Sequence, residues 1–311
     1  MPDEPPENPA MLMNISAVER DTGLSKDTLR MWERRYAFPT PGRDRYGERV
    51  YSPNQVQKLR LIKRLMGLGY RPGKIIGQSI EELELVGSTV TAPQPESDPA
   101  LDVFLNLIKS NQSAELRHHL ALALALQGLK PFILETVAPL NSAVGNAWMN
   151  GTLAVFEEHL YSELVRSILR NAISAIQPQG NAPRVLLTSL PGEQHSLGLL
   201  MAEAMFVVEG AFCIPLGNET PVRDIAAAAL GHRADIVALS FSASYPEHKA
   251  VEGLQDLRPL MPHASQIWAG GSAVTRIRKP LADVQLIGDL ADIAGQVARW
   301  RNASNGSLQA A

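Results

Sequence analysis

Arg184-Val185-Leu186-Leu187-Thr188-Ser189-Leu190-Pro191-Gly192-Glu193-Gln194-His195-Ser196-Leu197-Gly198 joins an apolar run, a Pro-Gly turn and a histidine with an acid two residues before it and a glycine three residues after. The apolar run is short and bounded by turn residues, as a buried strand is. Four more such runs follow, at residues 212–216, 236–239, 266–269 and 284–287, alternating with helical segments. Alternation of strand and helix predicts a doubly wound parallel-sheet α/β domain over residues 182–303. Ligands of such sheets bind at the carboxyl ends of the strands. His195 lies in the loop after the first run, Ser240 follows the third directly and Gly270-Gly271 follows the fourth, so three candidate elements converge on one edge.

Upstream, the period is helical. Residues 100–178 contain stretches at about 100–110, 113–127, 130–147 and 153–176, with breaks at Ser110-Asn111, Gly128 and Asn150-Gly151, which predicts a four-helix bundle. Residues 87–99, rich in Ser, Thr and Pro, are expected to be a linker, and residues 1–12 a disordered leader. Between them, residues 13–86 predict a small winged helix-turn-helix. A first helix ends near Thr22-Gly23, Ser25 caps a second that runs toward Tyr36, and Pro39, Pro41 and Gly42 stop it. Residues 43–51 turn at Gly47 as a β-wing would. Ser52-Pro53 opens a third helix to about Leu68, and a fourth is expected over residues 72–86.

Charge divides the chain in the same way. Residues 20–74 carry 14 Lys/Arg against 5 Asp/Glu, whereas the whole chain carries 29 against 32 and a net charge of -3. A basic head on an acidic body suits nucleic-acid binding by the head. Cys213 is the single cysteine, which excludes an intrachain disulfide and argues against a thiolate-clustered metal site; in its apolar run it reads as an inert thiol. No segment reaches the roughly 20 apolar residues of a membrane span, and the first residues lack signal-peptide features, so the expected location is cytoplasmic, with no membrane partner.

Thr28-Leu29-Arg30-Met31-Trp32-Glu33-Arg34-Arg35-Tyr36, Arg49-Val50-Tyr51-Ser52 and Leu65-Met66-Gly67-Leu68-Gly69-Tyr70 follow one another in order. In these motifs residues 14–76 resemble the MerR family of winged-helix regulators. The resemblance implies that Arg30, Arg34, Arg35 and Tyr36 on the recognition helix and Arg43, Arg45 and Arg49 on the wing meet double-stranded operator DNA. Leu29 and Trp32 read instead as core of the head. MerR proteins dimerise through a long coiled coil that this chain lacks, so assembly must come from the body.

Glu193, His195 and Gly198, then Ser240, then Gly270-Gly271 make the carboxy-terminal domain similar to the cobalamin-binding fold of methionine synthase and the cobalamin mutases. The departures are Glu193, where Asp is frequent, and Ser242, where many members have a bulky aliphatic residue. The resemblance implies His195 as lower cobalt ligand, with Glu193 fixing its tautomer. It further implies that Gly198 lets backbone approach the corrin, and that Ser240, Gly270 and Gly271 make room for the nucleotide tail.

Trp148 followed by Glu158-His159 resembles the cap motif of the CarH and LitR group of cobalamin-dependent, light-responsive MerR regulators. The resemblance implies adenosylcobalamin held between bundle and α/β domain, with Trp148, Val155 and Glu158 about the adenosyl group and His159 binding cobalt after photolysis. The expected function is a light-sensing transcriptional regulator, a repressor, assembling as a dimer or tetramer in the dark, and not an enzyme. Two alternatives stand beside it: a MerR-type regulator independent of cobalamin or light that works with an antirepressor, and a cofactor subunit of a cobalamin methyltransferase. His118, His119, His232, His248 and His263 match no motif and are expected at the surface.

Overall fold

A computed structural model describes residues 12–67, 70–90, 99–149, 152–176, 182–278 and 280–309. Most of the expected leader, residues 91–98 of the linker, Leu68-Gly69 and the Asn150-Gly151 break lie outside the described residues. The chain forms two compact units, residues 1–111 with 141–159, and residues 112–140 with 160–311.

The first unit opens with β1 (Met13–Asn14), α1 (Ile15–Thr22) and α2 (Lys26–Tyr36). The Asn14 side chain caps α1 by accepting from Ala17 N, and Ser25 caps α2 by accepting from Thr28 N. Each cap satisfies an amide that the helix cannot, typically stabilising by about 1 kcal/mol. Gly23, at φ 66°, ends α1 in the left-handed conformation that glycine adopts without strain. The wing consists of β2 (Gly42–Arg43) and β3 (Arg49–Tyr51), and β1 joins it in an antiparallel sheet of order β1-β3-β2. At its tip Asp44 Oδ1 accepts from the amides of Tyr46 and Glu48.

α3 (Pro53–Gly67) closes the head, and its Val56, Leu59, Ile62 and Leu65 pack with Val18, Leu29, Trp32, Tyr51 and Leu83 into one core. Leu29 and Trp32 are core residues, as expected. The single helix expected over residues 72–86 is instead two, α4 (Pro72–Ile75) and α5 (Ile80–Val90). The break is a capping box: Glu82 N donates to Ser79 Oγ at 3.2 Å while Ser79 N donates to Glu82 Oε2 at 2.8 Å. α5 therefore runs through the first residues of the expected linker, and α6 (Pro99–Lys109) follows.

α7 (Ser113–Gln127), α8 (Leu129–Pro131), a π-helical turn (Phe132–Val137), α9 (Ala138–Met149) and α10 (Val155–Ala175) complete the helical region close to the expected bounds. The π turn has no sequence signature. It buries Phe132, Ile133, Thr136 and Val137.

The second unit is built on β4 (Arg184–Thr188), β5 (Phe212–Gly217), β6 (Ile236–Ser240), β7 (Gln266–Gly270) and β8 (Val284–Ile287). All four pairings are parallel, in the order β5-β4-β6-β7-β8. The five expected runs are the five strands. Pro215, which lacks an amide donor, sits on the edge strand β5, where a ladder tolerates it. The intervening helices are α11 (Leu197–Val208), α12 (Val222–Gly231) and α13 (Glu247–Leu257), and α14 (Asp292–Gln309) follows β8. One core face gathers Leu186, Val237, Leu239, Ile267 and Ala269 from the strands with Ile225, Leu254 and Leu257 from the helices.

Within this unit, polar ties fix α10 and α8 to α11. Arg170 pairs with the nearly buried Glu203 at 2.9 Å, Arg166 NH2 donates to Ser196 Oγ at 3.1 Å, and Lys130 pairs with Glu209 at 2.8 Å. Burial raises the Glu203 carboxyl above its ordinary range despite Arg170. Among the described residues no helix is long and apolar enough to cross a membrane.

Candidate cofactor site and nucleic-acid interface

In the order β5-β4-β6-β7-β8 the connection direction reverses between β4 and β6, the switch point at whose strand ends ligands of such sheets bind. His195 is in the loop after β4, and Ser242 is two residues past the end of β6. The Glu193 carboxylate joins the two loops: its Oε1 accepts from His195 N at 2.9 Å and lies 2.8 Å from His195 Nδ1, while its Oε2 accepts from Ser242 N at 2.7 Å. The Glu193 side chain is 1% exposed, and that of His195 is 62% exposed. An acid buried on three donors thus orients a ring that stands in the open.

Burial alone would raise the Glu193 carboxyl, but hydrogen bonds from the His195 ring and backbone and from Ser242 N outweigh it and hold the carboxyl below its ordinary range. An ionised carboxylate accepts only, so the proton between the two groups belongs on Nδ1. That tautomer leaves the lone pair on Nε2, the form in which imidazole ligates a metal.

The rest of the loop is pinned from below. Ser189 Oγ donates to Glu193 O at 3.0 Å and accepts from Glu219 N at 3.0 Å, and Gly192 N donates to Glu219 Oε1 at 3.1 Å. Thr188 Oγ1 bonds Gly217 O at 2.8 Å and Thr220 Oγ1 at 2.7 Å. Ser189 and Ser242 are site residues that motif reading did not assign. The Pro-Gly turn hid the first, and the second registered only as a departure.

The glycines of the motif meet neighbours in the fold. A Cβ on Gly198 would come within 3.0 Å of Ser240 Oγ, and one on Gly271, whose φ is 97°, would overlap the Phe241 carbonyl. Gly270 O accepts from Phe241 N at 2.9 Å. Gly198, Ser240, Gly270 and Gly271 therefore line the same sheet edge as Glu193 and His195.

In the other unit Trp148 ends α9, and Val155, Glu158 and His159 open α10. Trp148 and Val155 are half-buried. Glu158 is 29% and His159 72% exposed, with Glu158 Oε2 at 3.7 Å from His159 Nε2. Arg60 stands 6.0 Å over the Trp148 ring while its guanidinium binds Asp21 through two bonds of 2.8 and 2.6 Å. His118, His119, His232, His248 and His263 are exposed, as expected. Among the described residues no group of three or more His, Cys, Asp or Glu is arranged to hold a metal ion.

On the head, Arg30, Arg34 and Arg35 are exposed along α2, and Arg43 and Arg45 are exposed on the wing. Arg35 stacks over Tyr36 at 5.2 Å and Arg45 over Tyr46 at 4.7 Å, which stiffens both cations. Arg49 differs from the others. It pairs through two bonds with Glu33 of α2, at 2.9 and 3.3 Å, and so sets the angle between wing and recognition helix.

A winged helix-turn-helix head and an α/β unit with a histidine at its switch point define a class: regulators that carry a DNA-binding head and an α/β unit of the kind that takes ligands at its strand ends. Residues 13–77 match the MerR HTH family regulatory protein model. The chain is 33% identical over 266 residues to the HTH-type transcriptional repressor CarH of Myxococcus xanthus, covering 83% of this chain and 88% of that protein. It is 30% identical over 250 residues to the HTH-type transcriptional repressor CarA of the same organism, with 79% and 82% covered. The chain belongs to this family of MerR-type HTH transcriptional repressors, which places it among regulators and not enzymes. In fold, 63% of the chain aligns with 96% of the monomethylamine corrinoid protein of Methanosarcina barkeri, at TM-score 0.52 and 16% identity.

Proposed function

We propose that this chain is a transcriptional repressor whose hold on operator DNA is set by a bound corrinoid, adenosylcobalamin, and through it by light. The observation that carries the reading is the exposed His195 imidazole with its Nδ1 held at 2.8 Å by the buried Glu193, at the carboxyl ends of β4 and β6. A corrinoid needs one neutral imidazole nitrogen from below and no cluster of further ligands. The exposed His195 imidazole, with its other ring nitrogen held by Glu193, fits that need.

His195 would hold cobalt and Glu193 would keep its tautomer. Gly198 would let backbone approach the corrin, and Ser240, Gly270 and Gly271 would make room for the nucleotide tail. Trp148, Val155, Glu158 and His159 are assigned to the adenosyl side by motif. Bound adenosylcobalamin supplies a cobalt–carbon bond that light breaks. The exposed arginines of α2 and the wing would neutralise phosphates, so operator binding weakens steeply with salt. Assembly of several copies, as a dimer or tetramer, would present several heads at once and raise effective concentration on repeated sites. The working division is a head at 13–86, a helical cap at 100–178 and a corrinoid domain at 182–303.

The test is illumination of adenosylcobalamin-loaded protein, followed by absorption, size-exclusion chromatography and operator binding. Oligomer size and affinity should fall together. Unchanged size and affinity after complete photolysis would refute light control, and a His195→Ala protein that still bound cobalamin through a protein nitrogen would refute the ligand assignment.

A further inference from the structure

Ser242 stands two residues past the end of β6, and its backbone and side chain do different things. Its amide donates to Glu193 Oε2 at 2.7 Å, and its Oγ lies 3.0 Å from His195 Nδ1. Nδ1 therefore has two oxygen neighbours, Glu193 Oε1 at 2.8 Å and Ser242 Oγ at 3.0 Å.

A single acceptor fixes one ring atom and leaves the imidazole free to swing about the line to that acceptor. A second oxygen, reached from the loop after β6 on another strand, removes this freedom. With the proton on Nδ1, the carboxylate at 2.8 Å and the hydroxyl at 3.0 Å can both accept it, and the two together constrain the ring plane. An aliphatic side chain at residue 242 would supply steric contact and no acceptor.

We propose that Ser242 is a positioning residue for His195, whose hydroxyl fixes the imidazole plane and thereby sets how completely His195 engages cobalt. This rests on the reading of His195 as the lower ligand. The role is separate from the amide bond to Glu193, because any residue at 242 except proline keeps that amide.

The test uses full-length protein carrying ¹⁵N-histidine, loaded with cob(II)alamin and examined by electron paramagnetic resonance. A ¹⁵N ligand splits the cobalt lines into doublets, whereas the cofactor's own benzimidazole nitrogen gives triplets, so the spectrum counts the His-ligated fraction directly. Loss of one neutral hydrogen bond corresponds to a roughly 2- to 10-fold change in an equilibrium. Ser242→Ala should lower the ratio of His-ligated to other forms by about that factor, with the melting transition of the α/β unit unchanged. Ser242→Thr, which keeps the hydroxyl, should restore the ratio. If Ser242→Ala keeps the wild-type ratio while His195→Ala abolishes the doublets, the Ser242 role is wrong and the ligand assignment stands. If wild-type protein gives no doublets, the ligand assignment fails and this proposal fails with it.

Discussion

Replacing Glu193 isolates the one buried charge on which the site depends. The carboxylate accepts three bonds, from His195 N at 2.9 Å, His195 Nδ1 at 2.8 Å and Ser242 N at 2.7 Å. Hydrogen bonds to a charged group contribute about 1.5–3 kcal/mol each. His195 and Ser242 are partly exposed, so water recovers much of that loss, and Glu193→Ala should destabilise the α/β unit by about 3 kcal/mol. Glu193→Gln keeps two of the three: with its carbonyl oxygen in place of Oε1 it still accepts from His195, but its NH2 then faces the Ser242 amide, donor against donor. The expected cost is about 2 kcal/mol.

Sign follows from the depressed pKa of Glu193. The ionised carboxylate contributes fully above the ordinary carboxylate pKa, and the contribution is lost as pH falls through the lower folded-state value. The wild-type and Glu193→Gln proteins should therefore differ at neutral pH and converge in acid. Urea unfolding followed by hydrogen exchange of β4 and β6 amides reports this unit alone, which matters in a chain with more than one unit. A loss below about 0.5 kcal/mol for both variants, independent of pH, would refute the claim that this carboxylate organises the site.

Gly271→Ala should be severe, costing about 3 kcal/mol or more, because φ is 97° and the new methyl meets the Phe241 backbone; Gly47→Ala, at φ 81° in open space on the wing, should cost only about 1 kcal/mol by the same unfolding measurement. Asp21→Ala leaves the 14% exposed Arg60 without its partner and should destabilise the head by about 3–5 kcal/mol, read as loss of helical signal and of operator binding at temperatures the wild type tolerates. Burial, aided by the nearby Glu203, pushes the Cys213 thiol up to about 12, so the native protein should be alkylated by iodoacetamide at pH 8 at least about 100-fold more slowly than the urea-unfolded chain.

Much of the architecture was legible because it rests on periodicity. The five apolar runs became five strands in a common order, and Ser25, Gly23 and Pro53 marked helix ends through local chemistry that needs no partner. What was missed depends on distant residues or was present and unread. β1 is two residues long, and only its pairing of Met13 with Tyr51 and Asn14 with Val50 makes it a strand. The π turn at Phe132–Val137 answers to packing. The Ser79 and Glu82 capping box could have been read, since a serine followed three residues later by a glutamate opens a helix. At the site, Glu193 and His195 stood out as a motif. Ser242 lies 47 residues further on and became visible only once β4 and β6 were neighbours.

Arg49, Arg60 and the helix caps make the head a rigid piece, and one of these residues also reaches Trp148 of α9. That contact has an energetic ceiling. A guanidinium over an indole is worth about 0.5–2 kcal/mol, and at 6.0 Å it lies at the outer limit of the useful range. Moving a two-state equilibrium from 1:99 to 99:1 takes about 5.5 kcal/mol. Even complete loss of the Arg60–Trp148 stack would supply less than half of that. On the proposed function, all-or-none control of DNA occupancy would draw its remaining free energy from several heads released or engaged together, and the sharpness of the response would then depend on protein concentration.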